Sequence, residues 1–207
     1  MDKKAMYKLS YGLFVLTAQE DGKDNGCIIN TVTQVTSDPY QITIAVNKAN
    51  LTHDMILHTN KFNVSVISQE TDFALFQRFG FQSGRTADKF AGFESSVMRT
   101  GNELYAVKKG TNAVLSAWVT DSIDLGTHTL FIATVTDMSV LSDAPSCTYD
   151  YYQTQIKPKP QKPATPSGKV TWVCKICGYI YEGDPIPADF VCPICKHGAD
   201  DFEKVVS

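Results

Sequence analysis

Alternating apolar and polar positions recur through the first 150 residues. They are clearest in YGLFVLTAQ (11–19), GCIINTVTQV (26–35), YQITIAVN (40–47) and KFNVSVIS (61–68). A period of two with β-branched enrichment predicts strands, and Asp-Gly, Ser-Asp-Pro and Lys-Ala-Asn breaks punctuate them. A later pair, 112–126 and 128–141, carries the same pattern with its turn near Gly126. Two stretches differ: LTHDMILHTN (51–60) and TDFALFQRFG (71–80) space their apolar residues at helical intervals. Many strands with few helices predict a mainly β fold with short helices, a closed antiparallel barrel rather than a doubly wound parallel sheet. No internal repeat of fixed period is present.

The pattern stops at QTQIKPKPQKPATPSGK (153–169), which holds four of the nine prolines and one large apolar residue, Ile156. Such a stretch reads as a linker that favours extended polyproline II, rising about 3.1 Å per residue. The chain therefore divides into a domain over 1–152, a linker over 153–168 and a small domain over 169–207. At 207 residues, 43% apolar and 20% charged with a net charge of -3, the composition is that of a soluble globular protein and points to no nucleic-acid partner. No window approaches eighteen uninterrupted apolar residues, and the first twenty lack a signal-peptide core, so the expected location is the cytoplasm, without a membrane. The sequons at Asn50 and Asn63 are then incidental.

Four of the six cysteines fall in the small domain, as Cys174-x-x-Cys177 and Cys192-x-x-Cys195 with fourteen residues between the pairs. Each pair can form a knuckle whose two thiolates point the same way, and two knuckles close a tetrahedral site. Tetrahedral thiolate suits zinc or iron alike. A reducing compartment disfavours two disulfides. Trp172, Tyr179, Tyr181 and Phe190 flank the knuckles, either as a shell that tunes a redox metal or as a minimal core. With W-x-C-x-x-C-G-Y, a short loop, C-P-x-C and Asp201-Phe202-Glu203, the segment resembles rubredoxin, and more closely the short rubredoxin-like domain of rubrerythrins. That resemblance implies one iron held by Cys174, Cys177, Cys192 and Cys195. Lys196 stands where rubredoxins usually have glycine.

The larger domain lacks G-x-G-x-x-G, G-K-[ST] and H-E-x-x-H. Hydroxyls and amides line residues 30–36 instead, and Asn47, Lys48, Asn50, Thr52 and His53 cluster before a predicted helix. A cation, several donors and a helix N-terminus make an anion site, although the same residues also read as a capped helix beside a solvated loop. Four stretches in order, NTVTQVTSDP, NKANLTH, SGRTADKFAGF and HTLFIATVTD, resemble the flavin reductase-like family of FMN-binding split barrels. The resemblance implies that Asn30, Thr31, Thr33 and Gln34 face the ring edge of FMN. It implies that Asn47, Lys48, Asn50, Thr52 and His53 hold its ribityl phosphate, with Ser83 and Lys89 nearby. It also implies a homodimer, and a histidine near the nicotinamide donor at His128, here in Gly-Thr-His rather than the family's Gly-Asp-His.

The pairing of the two domains resembles flavin and rubredoxin fusions. It implies an oxidoreductase passing electrons from NAD(P)H through FMN to iron and on to an acceptor such as a flavodiiron oxygen or nitric oxide reductase. Two alternatives stay open: a flavin or ferric reductase that serves small acceptors, and an FMN-binding protein with a structural zinc tail. Cys27 and Cys147 read as small buried hydrophobes without a redox task.

Overall fold

The structure is a computed structural model that describes residues 2–158, 170–175, 179–192 and 198–206. It divides into two compact units, Met1–Thr154 and Gln155–Ser207, with the division inside the expected linker.

The larger unit is built on β1 (Phe14–Glu20), β2 (Lys23–Ile29), β3 (Val32–Ser37), β4 (Tyr40–Asn47), helix α1 (Leu51–Thr59), β5 (Lys61–Ile67) and helix α2 (Phe73–Gly80). A small hairpin of β6 (Val97–Arg99) and β7 (Tyr105–Val107) follows, then the long pair β8 (Thr111–Asp124) and β9 (His128–Val140). Seven strands form one sheet in the order β2-β1-β5-β8-β9-β4-β3, antiparallel throughout. The stretch 26–35, which reads as one strand in sequence, is two: it breaks at Asn30–Thr31, and its halves lie at opposite ends of the sheet.

That break dictates the shape. Six inter-strand steps of about 4.8 Å would hold the ends of a flat sheet roughly 29 Å apart. The three residue steps from Ile29 to Val32 reach at most about 11 Å. The sheet must curl back on itself, and covalent chain rather than a ladder of hydrogen bonds spans the seam. Thr31 clips this junction to β4, because its hydroxyl donates to the Ala45 carbonyl (2.8 Å) and accepts from the Ala45 N–H (3.2 Å).

The barrel interior follows from strand alternation. Ile42, Ile44 and Val46 of β4 are buried, as are Phe131 and Ala133 of β9, and they pack with Leu16, Phe62, Val64 and Val119. Helix α1 closes one end with Met55 and Ile56, both buried, and stops at Asn60 in the left-handed conformation with its N–H on the Ile56 carbonyl. Fully burying an aliphatic or aromatic side chain contributes about 1.5–3 kcal/mol, so this cluster dominates the stability of the unit. After β9 the chain returns beside β1 and β5, where Cys147 bonds Leu13 and Ile67 through its backbone, and ends in the turn α3 (Tyr149–Tyr151). Tyr152 then packs on Phe76 of α2.

The smaller unit has a three-stranded sheet in the order β11 (Ile180–Glu182), β10 (Val170–Cys174), β12 (Phe202–Val206). Among the described residues, no helix is long and apolar enough to cross a membrane.

Candidate functional site

Strand register assembles the first part of the barrel site. Asn47, the last residue of β4, pairs with His128, the first of β9, so the two lie side by side at one rim. The turn between β8 and β9 is stitched to the loop after β4 by the Lys48 N–H on the Thr127 carbonyl (3.1 Å) and by Lys48 Nζ on Asp124 Oδ1 (2.6 Å). Asp124 also accepts the Gly126 N–H (2.7 Å), and Gly126 adopts a φ of 85°, which suits glycine. Lys48 first, then this backbone bond, holds the Asp124 carboxyl below its ordinary range. His128 is half-buried, with Nδ1 2.9 Å from the Thr127 hydroxyl. An acid therefore does stand in this turn, two residues before Gly126 rather than beside the histidine.

The second part surrounds the N-terminus of α1. Asn50 precedes the helix in extended conformation and makes no side-chain cap bond, while Asn47 Oδ1 accepts the Ala49 N–H (2.9 Å). Thr52 and His53 point inward. The Thr52 hydroxyl accepts from Asn25 Nδ2 (2.9 Å), and His53 places Nε2 2.8 Å from the Thr129 hydroxyl and Nδ1 3.0 Å from Asp54 Oδ1. Asp54 in turn binds Arg85 through Oδ2 at 2.6 Å. The bond from His53 first, with help from Arg85, holds the Asp54 carboxyl below the usual carboxylate value. Arg85, half exposed, is thereby brought to the first turn of α1. It is the cation that the sequence reading missed.

The loop carrying Arg85 is seated by Gly84, where a Cβ would stand 2.1 Å from Asn25 Oδ1. Ser83 is exposed, and its hydroxyl and carbonyl receive the N–H groups of Arg85, Thr86 and Ala87. Beside this loop runs a groove of about 460 Å³ bordered by Lys23, Arg85, Asp88 and Tyr105. Lys89, expected near phosphate, is buried instead. Its ammonium donates to the carbonyls of Gly26 (2.8 Å) and Phe79 (3.1 Å), and burial pulls its pKa down. Cys27 lies next to it, its thiol pushed up by burial against the opposing effects of Thr52 and Lys89.

β3 completes the barrel site. Thr33 to Ser37 are exposed, and β3 pairs only with β4 among the described residues. An edge strand with exposed hydroxyls and unpaired peptide groups offers mixed donors and acceptors to a ligand. Thr33 and Gln34 are exposed along it, with Gln34 Nε2 on the Thr36 carbonyl (3.2 Å), and Asn30 is half-buried just before it, while the Thr31 hydroxyl is committed to Ala45.

In the smaller unit Cys174 and Cys192, one from each knuckle, are completely buried. Cys174 ends β10, pairs with Phe202 and donates its N–H to the Tyr179 carbonyl (2.8 Å). Phe190 centres an aromatic cover, with ring centroids 4.6 Å from Tyr181, 5.4 Å from Phe202 and 6.4 Å from Tyr179. Sulfur from both Cys-x-x-Cys pairs is the donor type that a tetrahedral thiolate metal site uses. Cys177, Cys195 and Lys196 lie outside the described residues.

Barrel and knuckle unit together define an oxidoreductase of the flavin reductase type with a rubredoxin-like electron-transfer domain. Residues 6–159 match the flavin reductase like domain, and residues 172–203 match the rubrerythrin, rubredoxin-like domain. The chain is 39% identical to the High molecular weight rubredoxin of Moorella thermoacetica, over 99% of this chain and 100% of that protein. It is 41% identical to the Ferric-chelate reductase (NAD(P)H) of Archaeoglobus fulgidus, over 80% of this chain and 96% of that one. Among solved structures, the flavin reductase PheA2 in its native state superposes with a TM-score of 0.60 at 24% identity, covering 72% of this chain and 93% of its own, which bears on fold alone. The chain belongs to the flavin reductase-like family, in its high molecular weight rubredoxin form.

Proposed function

We propose that this protein takes electrons from NAD(P)H at the barrel and delivers them singly, through an Fe(Cys)4 centre, to an acceptor protein such as a flavodiiron oxygen or nitric oxide reductase. The observation that carries the reading is the coexistence in one chain of an exposed, donor-rich barrel rim and a pair of knuckle cysteines buried under aromatic rings. Bound FMN would accept a hydride and release electrons one at a time, and iron would take them one at a time.

The chain's own residues divide the work. Asn30, Thr33 and Gln34 on the open edge of β3 orient the ring. Asn47, Asn50, Ser83 and Arg85, with the first turn of α1, hold ribityl and phosphate. Thr31, Thr52, His53 and Lys89 stand behind them, each spending polar atoms on the fold, and fix those donors in place. His128 meets the nicotinamide side, its ring oriented by Thr127. Lys48 and Asp124 tie that histidine's turn to the flavin loop, so donor and acceptor sides share one rigid segment. Cys174, Cys177, Cys192 and Cys195 bind iron, and the rings of Tyr179, Tyr181 and Phe190 exclude water from it.

Half-exposed Trp118, Met138, Ile123 and Leu125 along β8, β9 and their turn suit a homodimer interface, and light scattering checks that state. A four-cysteine metal site needs reduced thiols, which fits the cytoplasm. Mixing the anaerobic protein with NADH, then NADPH, should bleach flavin and ferric-thiolate absorbance in turn. Bleaching of neither overturns the proposal. The likeness to a ferric-chelate reductase supports a second reading, in which small ferric complexes are the acceptors. Under that reading removal of residues 157–207 leaves turnover unchanged, whereas the main proposal requires loss of transfer to the acceptor protein. Zinc in place of iron on metal analysis would reduce the tail to a structural part.

A further inference from the structure

Lys175, which follows the first buried cysteine, has its polar groups engaged on three sides. Its N–H donates to the Asp201 carbonyl (2.8 Å), and its Nζ to the Asp200 carbonyl (3.0 Å). Its own carbonyl accepts from Lys157 Nζ at 3.0 Å. Lys157 lies outside the segment 172–203 that matches the rubredoxin-like domain, yet it is half-buried and belongs to the smaller unit, which begins at Gln155. A lysine that reads as linker by composition thus presents a fixed cation to the backbone of the first knuckle.

We propose that Lys157 is a tuning residue of the metal centre: its ammonium, held on the carbonyl next to Cys174, raises the reduction potential of the thiolate site. The inference rests on the iron reading above. A ferric ion with four thiolates carries a charge of about -1, and one electron from the reduced flavin makes it ferrous at about -2, with no bond or proton exchanged. A cation fixed close by stabilises the more negative product. The bond from Lys157 Nζ is exposed to solvent, so salt screens part of the effect and the shift is largest at low ionic strength. The Lys175 ammonium, held on the Asp200 carbonyl, acts in the same sense, and Lys157 adds to it.

The test is anaerobic spectroelectrochemical titration of the full-length protein, with iron and flavin contents measured in each preparation. Lys157→Met should retain its iron while the equilibrium constant for iron reduction falls about three- to tenfold, which is about 30–60 mV at roughly 59 mV per tenfold for one electron. Lys157→Gln, neutral but still able to donate a hydrogen bond, should behave like Lys157→Met, and Lys157→Arg should restore the wild-type value. The flavin potential should stay where it was in all three variants. An iron potential unchanged in Lys157→Met, a Lys157→Gln variant that keeps the wild-type value, or an equal shift of flavin and iron would each overturn the assignment while leaving the electron-transfer reading intact. A wild-type protein without iron would overturn both, and the metal analysis identifies that outcome separately.

Discussion

Replacing Lys89 by Met tests whether this lysine serves the fold or the flavin. Its Nζ lies 2.8 Å from the Gly26 carbonyl and 3.1 Å from that of Phe79, and the residue is 3% exposed. These bonds join β2 to α2 at a place where even a Cβ on Gly26 would crowd the Leu16 carbonyl and the Phe79 ring. A methionine is nearly as long but donates nothing, so each carbonyl loses a bond to a charged donor worth about 1.5–3 kcal/mol. Relief of the buried ammonium's desolvation, the same effect that lowers its pKa, offsets part of this loss. The expected net destabilisation is about 2 kcal/mol, or a fall in Tm of roughly 4–8 °C for a protein of this size. Circular dichroism melts and urea titration measure that loss. Fluorescence titration of the flavin-free protein measures affinity, and the dissociation constant of FMN should change by less than about tenfold, or about 1.4 kcal/mol. An unchanged melt combined with a larger loss of flavin affinity would refute the reasoning, because the ammonium would then have to reach the ligand.

Three further outcomes follow from the same geometry. The folded Asp54 carboxyl has its pKa depressed below 3.8, so its ion pair stabilises fully above about pH 4 and is lost as pH falls through the folded value. Asp54→Asn should cost about 1 kcal/mol at neutral pH, a figure already reduced for its partial exposure, and wild-type and variant melts should converge in acid; a constant gap would count against the pair. Burial raises the thiol of Cys27 and pushes that of Cys147 up to about 11, so both should resist iodoacetamide at pH 8 in the folded protein and react after unfolding, as mass spectrometry can show. Gly84→Ala would force a methyl group against the Asn25 amide and should destabilise by about 1–3 kcal/mol, read by urea titration, while Ser83→Ala should leave the midpoint unchanged.

Much of the barrel was legible because its strands bury one face. β4 and β9 alternate buried and open positions as period-two arithmetic requires, and α2 spans nearly the stretch that helical spacing marked out. The seam at Asn30–Thr31 was hidden, since no glycine or proline marks it and both flanks favour strand. The site was legible as residue types and less so as roles. Thr52, His53 and Lys89 are polar and near the rim in sequence, yet their side chains face inward, and burial of a polar group depends on distant partners. Arg85 reaches Asp54 across 31 positions and Lys48 reaches Asp124 across 76, pairings that no local pattern encodes. The rubredoxin-like segment was the most legible part, because the spacing of its Cys-x-x-Cys pairs is local.

The strand order also has a consequence for how the chain comes into being. β2, β1 and β5 form one block, β4 and β3 another, and what joins them is the β8–β9 hairpin, which ends at Val140. A ribosome that has released only the first hundred residues has therefore made two separate patches of sheet with raw edges and no common ladder. The last hairpin acts as a keystone. Until it emerges, the nascent chain is open to pairing with its neighbours on the polysome, and a stop codon ahead of His128, which opens β9, should yield an aggregating fragment rather than a smaller barrel.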